Sequence, residues 1–285
     1  MSDLKRGRTR TRQRVEITRT LDRGLRVLET IAEAAPVSLS DIARHVDLTP
    51  ATTFRLLETL RQRDYVLQHE QTGLYELGPK AFQVGAAFTQ RLRLHQVAQP
   101  VLARLAEELG DPVTLAIRDG ADVIYIDQRE GRGIMQMASR IGDRLPIHCT
   151  AAGKAMAAWL WEGALRDIVG DDPFRKRTDA TITTWPDLMA ELDGVRKAGY
   201  ALDREECEAE ICCIAAPLRS RDGQVAGAIS VSRMSSRFPQ DDPSDLAAAI
   251  VSAADDISRR LGWTGGDRAP VHQVEDEDAA DMFDD

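Results

Sequence analysis

His148-Cys149, Cys207 and the adjacent pair Cys212-Cys213 are the side chains that would give covalent or metal chemistry if the fold brought them together. A cysteine nucleophile needs a base within hydrogen-bond reach of its thiol, and sequence spacing does not place one. The chain has no C-x-x-C pair and no H-E-x-x-H helix, so the common zinc signatures are missing. Cys212 and Cys213, adjacent on a strand, would point to opposite faces, which opposes joint chelation. Cys213, beside Ile214 and Ala215, reads as a small buried hydrophobe. Gly131–Gly133 offers only G-R-G, and Ala151-Ala152-Gly153-Lys154 lacks the spacing of a phosphate-binding loop. Neither an enzyme nor a bound metal or cofactor is expected. A thiol-, redox- or metal-sensing role for the cysteines stands as the alternative, and a Cys/His enzyme as a second. The four cysteines are too few and too clustered for a disulfide framework, so reduced thiols are expected.

A non-covalent chemistry, the reading of bases, has stronger support. Residues 38–66, SLSDIARHVDLTPATTFRLLETLRQRDYV, have the pattern of a helix-turn-helix. Ile42, Ala43 and Val46 form the buried side of a first helix, and a short turn follows at Asp47 and Leu48. Thr49 is placed to cap a second helix, and Pro50 takes its first position, where a missing N–H costs nothing. Phe54, Leu57 and Leu60 recur at helical spacing and are expected to face a core. The other side shows Ala51, Thr52, Thr53, Arg55 and Thr59. Small polar residues and an arginine at a helix start suit insertion into a major groove. A plain helical hairpin with a solvated polar face is the alternative reading of this stretch.

The elements around it favour the first reading. Residues 65–67 and 74–77 alternate apolar and polar around the turn-rich QHEQTG, which predicts a β-hairpin with its tip at residues 69–72. Leu21, Leu25, Leu28 and Ile31, capped by Thr20, supply a preceding helix. Three helices and a hairpin make a winged helix. The net charge of −9 hides an asymmetry: residues 1–80 carry 14 Lys+Arg against 11 Asp+Glu, and residues 81–285 carry 23 against 35. The first 14 residues hold six basic side chains and one acid. Such an arm can follow a phosphate backbone or a minor groove, although a solvated charge run is the usual fate of such a segment. The last 22 residues hold eight acids and one arginine and are expected to form a flexible tail.

At 285 residues the chain is long enough for two domains. No run approaches a membrane span, and the Arg-rich start is not followed by an apolar signal core, so a soluble, cytoplasmic protein with no membrane partner is expected. After Gly78-Pro79 a long helical segment is expected over residues 81–109, divided at Pro100. Its apolar residues, Phe82, Val84 and Phe88 among them, are expected to pack on a partner subunit or on the second domain. From Asp111 the pattern turns α/β. VTLAIRDGADVIYIDQRE reads as two strands about an Asp-Gly turn, TAAGKAMAAWL as a small-residue helix, and ICCIAAPLRSRDGQVAGAISVSR as a hairpin. Helices are expected near residues 159–169 and 188–198, and over 244–261.

The chain resembles the IclR-type bacterial transcription regulators from about Arg19 to Leu261. The motifs that carry the resemblance are LDRGLRVLE, LSDIARHVDLTPATTFRLLETL, GLYELG, DRLPIHCTAAGKAMAAWL, GYALDREE and CCIAAPL…AGAISVS, in that order. The resemblance implies an α+β chain: a basic arm (1–18), a winged helix-turn-helix (19–80), a linker helix (81–98), a GAF-like α/β effector-binding domain (99–263) and an acidic tail (264–285). It implies homo-oligomers, dimers or dimers of dimers, on palindromic double-stranded operators. Thr52, Thr53 and Arg55 fall at the start of the recognition helix, and Arg23 falls where the family touches phosphate. The family's effector pocket falls on Ile134, Met137, Leu145, Ala151, Ala152, Asp203, Cys213, Ser230 and Ser232, with backbone N–H groups near Ala152-Gly153. That set suits a small organic acid, from sugar or aromatic catabolism. Several hydroxyl partners and the lack of an aromatic side chain lean it to a sugar-derived acid. Repression is expected by family habit. Three positions depart from the family pattern. Asp47 stands for a usual glycine, Ala51 for a serine, and Glu210 for a glycine whose replacement is expected to narrow the pocket or charge it.

Overall fold

The computed structural model describes residues 18–132 and 140–265. The chain divides into two compact units, with the boundary between Phe88 and Thr89. The N-terminal unit holds α1 (Arg19–Ala34), α2 (Leu39–His45), α3 (Pro50–Gln62) and an antiparallel hairpin of β1 (Val66–Gln68) and β2 (Tyr75–Leu77). Local chemistry starts its helices: Ser38 Oγ accepts from Asp41 N at 3.2 Å and Thr49 Oγ1 from Thr52 N at 3.3 Å, with Pro50 at the first position of α3. Each such cap is worth about 1 kcal/mol. Asp47 takes the left-handed turn between α2 and α3 at φ 54°, a conformation aspartate tolerates better than most residues. Val27, Ile31, Ile42, Val46, Leu57, Val66 and Tyr75 form the core. Tyr75 exchanges both backbone hydrogen bonds with Val37, at 2.8 and 3.0 Å, which ties the hairpin to the chain entering α2. Gly78 is required by a close approach: a Cβ there would lie 2.2 Å from Asp64 O.

Two details of α1 differ from expectation. Its N-cap is Thr18 rather than Thr20, and it makes no side-chain cap. It buries Val27 and Ile31, while Leu21 and Leu25 stay 63% and 50% exposed. The apolar positions form two adjacent stripes, and the unit's core is large enough to cover one.

α4 (Pro79–Arg91) has no buried residue and leaves Phe82, Val84 and Phe88 exposed. The helix break falls at Leu92, and Pro100 lies inside α5 (Arg93–Leu109) instead of dividing it. An interior proline costs about 3 kcal/mol. Burial of Ala98, Val101, Leu102 and Leu105 on either side of it holds the helix together.

The C-terminal unit is built on a six-stranded sheet in the order β5-β4-β3-β8-β7-β6, with every neighbour antiparallel. Its strands are β3 (Val113–Asp119), β4 (Asp122–Arg129), β5 (Arg144–Pro146), β6 (Ala201–Arg204), β7 (Ile211–Arg219) and β8 (Val225–Met234). The helices are α6 (Ala151–Ala157), α7 (Glu162–Val169), α8 (Trp185–Ala198) and α9 (Ser244–Arg260). Strand alternation sorts the side chains. Cys212, Ile214, Ala216 and Leu218 of β7 join Leu115, Ile229 and Val231 in a core shared with α5 and α9. Ala116, Tyr125, Ala215 and Ala228 face the other way, into a core shared with α6 and α8. Cys212 and Cys213 therefore lie on opposite faces, as their adjacency requires. Among the described residues no helix is long and apolar enough to cross a membrane.

Candidate DNA-reading helix and effector face

α3 carries the candidate base-reading residues. Ala51, Arg55 and Thr59 are exposed, Thr52 is half-buried, and Arg23 is exposed on α1. Thr49 Oγ1 also donates to Thr52 Oγ1 at 3.0 Å, and Thr59 Oγ1 donates to Arg55 O at 2.9 Å. Thr53 is not on the open side. It has no exposed surface, and its Oγ1 donates to Thr49 O at 3.2 Å. Phe54, expected in the core, is 49% exposed instead. Both corrections have one cause. The phase of α3 is set by Leu57, and the residue one turn before it on the same side is Thr53.

The effector face is assembled by strand register. Asp203 of β6 pairs with Cys213 of β7, and Cys213 pairs with Ser232 of β8. The next row, two residues along, sets Ala215 beside Ser230 and Ser230 beside Thr114 of β3. Cys213 Sγ and Ser232 Oγ are 3.1 Å apart. Ala151, Ala152 and Gly153 open α6, which packs over this face. Leu145, on edge strand β5, pairs with Val123 and packs partly buried on the same core. Ile134 and Met137 lie outside the described residues. The Gly153 N–H does not face a ligand: it donates to Thr150 Oγ1 at 3.1 Å, the side-chain cap of α6. A Cβ on Gly153 would come within 2.3 Å of Ile147 O.

Asp203 is the electrostatic centre. It is 3% exposed, and its Oδ1 accepts from Glu206 N at 2.7 Å and Cys207 N at 3.3 Å. Burial, with Glu206 adding, pushes its carboxyl up to about 7, against the pull of Lys154 and the two N–H groups. Lys154 of α6 is wholly buried and reaches Glu206 Oε1 at 2.5 Å and Glu191 Oε1 at 3.0 Å. Burial also raises the Glu206 carboxyl, and Lys154 opposes it. Residues 205–208 are held from outside by Thr178 and Thr181, whose hydroxyls donate to Glu205 O and Glu206 O, and by Arg177 Nε, which donates to Cys207 O.

Three residues that matter here escaped the sequence reading. Lys154, in a stretch without the spacing of a phosphate-binding loop, carries a charge into the core. Thr114, 1% exposed, sits beside Ser230, and its Oγ1 has no partner among the described residues. Tyr125, 7% exposed, pairs with Ala116 on this face, and its phenol is pushed up first by burial and then by Cys213, Cys207 and Asp203. Tyr125 thus sets an aromatic ring near the named positions, none of which is itself aromatic. Glu210 holds the left-handed conformation at φ 65° and is exposed.

Cys149, Cys212 and Cys213 are held in their neutral thiol form. Hydrogen bonding with Cys207 and then burial push Cys149 up, and burial does the same to Cys212 and Cys213. A thiol kept protonated is a poor nucleophile and a slow partner in exchange. Among the described residues no group of three His, Cys, Asp or Glu is placed to hold a metal ion. A small cleft beside Trp159, Arg219, Ser258 and Trp263 includes none of the predicted effector residues.

Two family models match the chain: residues 20–70 match the IclR helix-turn-helix domain, and residues 86–259 match the bacterial transcriptional regulator IclR C-terminal domain. The HTH-type transcriptional repressor AllR of Escherichia coli (strain K12) is 35% identical over 243 residues, which cover 85% of this chain and 90% of the repressor. The crystal structure of Thermotoga maritima IclR is 28% identical with a TM-score of 0.71, over 87% of this chain and 100% of that one. An IclR homolog from Microbacterium hydrocarbonoxydans, crystallised with 4-hydroxybenzoate, shares the fold at 24% identity and a TM-score of 0.75, over 85% of this chain and 98% of that one.

Proposed function

The chain belongs to the IclR family of bacterial transcriptional regulators, and from that premise we propose that it is a sequence-specific repressor of a catabolic operon, controlled by a small organic acid. The observation that carries the reading is the open side of α3. A capped recognition helix presents Ala51, Arg55 and Thr59 to solvent while Thr53 and Leu57 anchor it from behind. Arg55 reads a base edge or fixes the helix against phosphate, and Arg23 holds the backbone. The repressor assignment follows the function named for AllR. Phe82, Val84 and Phe88, exposed around one helix, support a homo-oligomer, since large exposed apolar side chains grouped on one element mark interaction surfaces. A bound effector shifts the pairing of DNA-binding units only if it binds one state more tightly than the other.

The effector lies against the row Asp203–Cys213–Ser232 with Ser230 and the start of α6. Thr114 and Tyr125 widen the range of acids that fit, because the face then offers an extra hydroxyl and an aromatic ring. The experiment has two arms on the full chain. Arg55→Ala is expected to weaken binding to a selected operator at least about fivefold, the lower end of a good base contact of about 1–3 kcal/mol. Unchanged affinity and specificity would sink that assignment. A thermal-shift screen with sugar acids, keto acids and hydroxybenzoates should give a hit that Asp203→Ala loses without losing DNA binding. At a hundredfold excess over Kd the hit adds about 2.7 kcal/mol. A hit that survives Asp203→Ala would place the pocket elsewhere.

A further inference from the structure

Phe54 is a large apolar side chain left half open on the recognition helix, at 49% exposure, while the unit's core is filled by Leu57, Val46 and their neighbours. Its exposed neighbours on α3 are Ala51, one turn before, and Arg55. Glu58 follows one turn later, but both of its carboxylate oxygens are taken by Arg61, at 2.9 and 3.0 Å. The front of α3 is thus apolar and cationic, with its one acid neutralised from the side. That combination suits DNA: Arg55 supplies attraction to phosphate or to a guanine edge, and Ala51 leaves room for close approach. In the major groove thymine alone carries a methyl group, and an aromatic ring is one of the side chains that meets it. We propose that Phe54 is a base-reading residue whose ring packs on a thymine C5-methyl. This rests on the reading of α3 as the recognition helix and adds a specificity contact to it.

The test uses the full chain and a pool of roughly 30-base-pair duplexes with randomised centres. The enriched duplex is resynthesised with each thymine replaced in turn by deoxyuridine, which removes only the methyl. The wild type should lose about fourfold in affinity at one thymine per half-site, the worth of one buried methyl-sized group. Phe54→Ala should bind the thymine and uracil duplexes equally well, at about the wild-type affinity for the uracil form, with an unchanged Tm. Phe54→Leu should keep part of the discrimination. Indifference of the wild type to every thymine-to-uracil change overturns the proposal. So does a Phe54→Ala variant that still senses the methyl, or one whose sedimentation coefficient falls, which would show that Phe54 covers a protein surface. If no sequence is enriched from the pool, the recognition-helix reading itself fails, a result distinct from methyl-blind binding.

Discussion

Asp203→Asn should stabilise the C-terminal unit by an amount that grows with pH. The fold raises the Asp203 carboxyl from its ordinary 3.8 to about 7. A carboxyl raised in the folded state favours folding below its unfolded value, and that contribution is lost as pH rises towards the folded value. At 1.36 kcal/mol per pH unit the whole displacement is worth about 4 kcal/mol, an upper figure because Glu206 and Lys154 readjust with it. Asparagine keeps the Oδ1 acceptor for the Glu206 and Cys207 N–H groups, so the turn cap survives while the charge does not. All four tryptophans, Trp159, Trp161, Trp185 and Trp263, lie in the C-terminal unit, so urea unfolding followed by their fluorescence reports that unit. The stability gap between the variant and the wild type should widen by about 1 kcal/mol per pH unit from pH 5 to 7 and level off above pH 8. A gap that stays constant across that range would refute the reasoning. A variant less stable than the wild type at pH 8 would show that the carboxylate is held by a cation instead.

Lys154→Met should cost about 3–5 kcal/mol, because it leaves Glu206 buried without its counter-charge. Adding Glu206→Gln should recover part of the loss, and a single-variant cost under about 1 kcal/mol would remove the ion pair from the account. Thr53→Val keeps shape and burial but loses the hydroxyl bonded to Thr49 O. It should lower stability by about 1 kcal/mol and leave operator affinity within about twofold. A tenfold loss of affinity at native Tm would return Thr53 to the DNA side.

The helix-turn-helix was legible because its signals are local. Ser38 and Thr49 cap, Pro50 starts a helix, Asp47 turns, and Ile42, Val46 and Leu57 repeat at helical spacing. The phase of α3 was less legible, since Phe54 and Thr53 are adjacent and apolarity favours Phe54 as the core residue. Volume decides against it. The small unit already closes around Leu57, Val27 and Ile31, and Thr53, one turn before Leu57, is the residue buried on that side of the helix. Pro100 misled for a similar reason. A local rule says break, but the buried row Ala98, Val101, Leu102 and Leu105 is a longer-range gain than one hydrogen bond. β6 was missed because four residues carry too little alternation to stand out beside Asp203, Glu205 and Glu206.

The effector face depends on pairings that no local window contains. Asp203, Cys213 and Ser232 become neighbours only through two antiparallel registers. Lys154 does carry a signal in the sequence. Every residue of α6 is buried, so the helix has no polar face on which a lysine could be solvated. A buried ammonium needs a carboxylate, and Glu206 supplies it from 52 residues away. The consequence reaches the proposed ligand. Among the described residues Lys154 is already shared by Glu191 and Glu206, and the Cys213 thiol and Tyr125 phenol near Asp203 are held neutral, so an ionised Asp203 and an acid ligand would repel each other with little nearby to offset them. A carboxylate that docks beside Asp203 should therefore bind with a proton. Its affinity should fall by up to about tenfold per pH unit above pH 7, and Asp203→Asn should flatten that slope. Calorimetric titration of the screened acid from pH 6 to 9 measures it. A flat wild-type profile would mean that the ligand's carboxylate sits away from Asp203, nearer the Ser230 and Thr114 row.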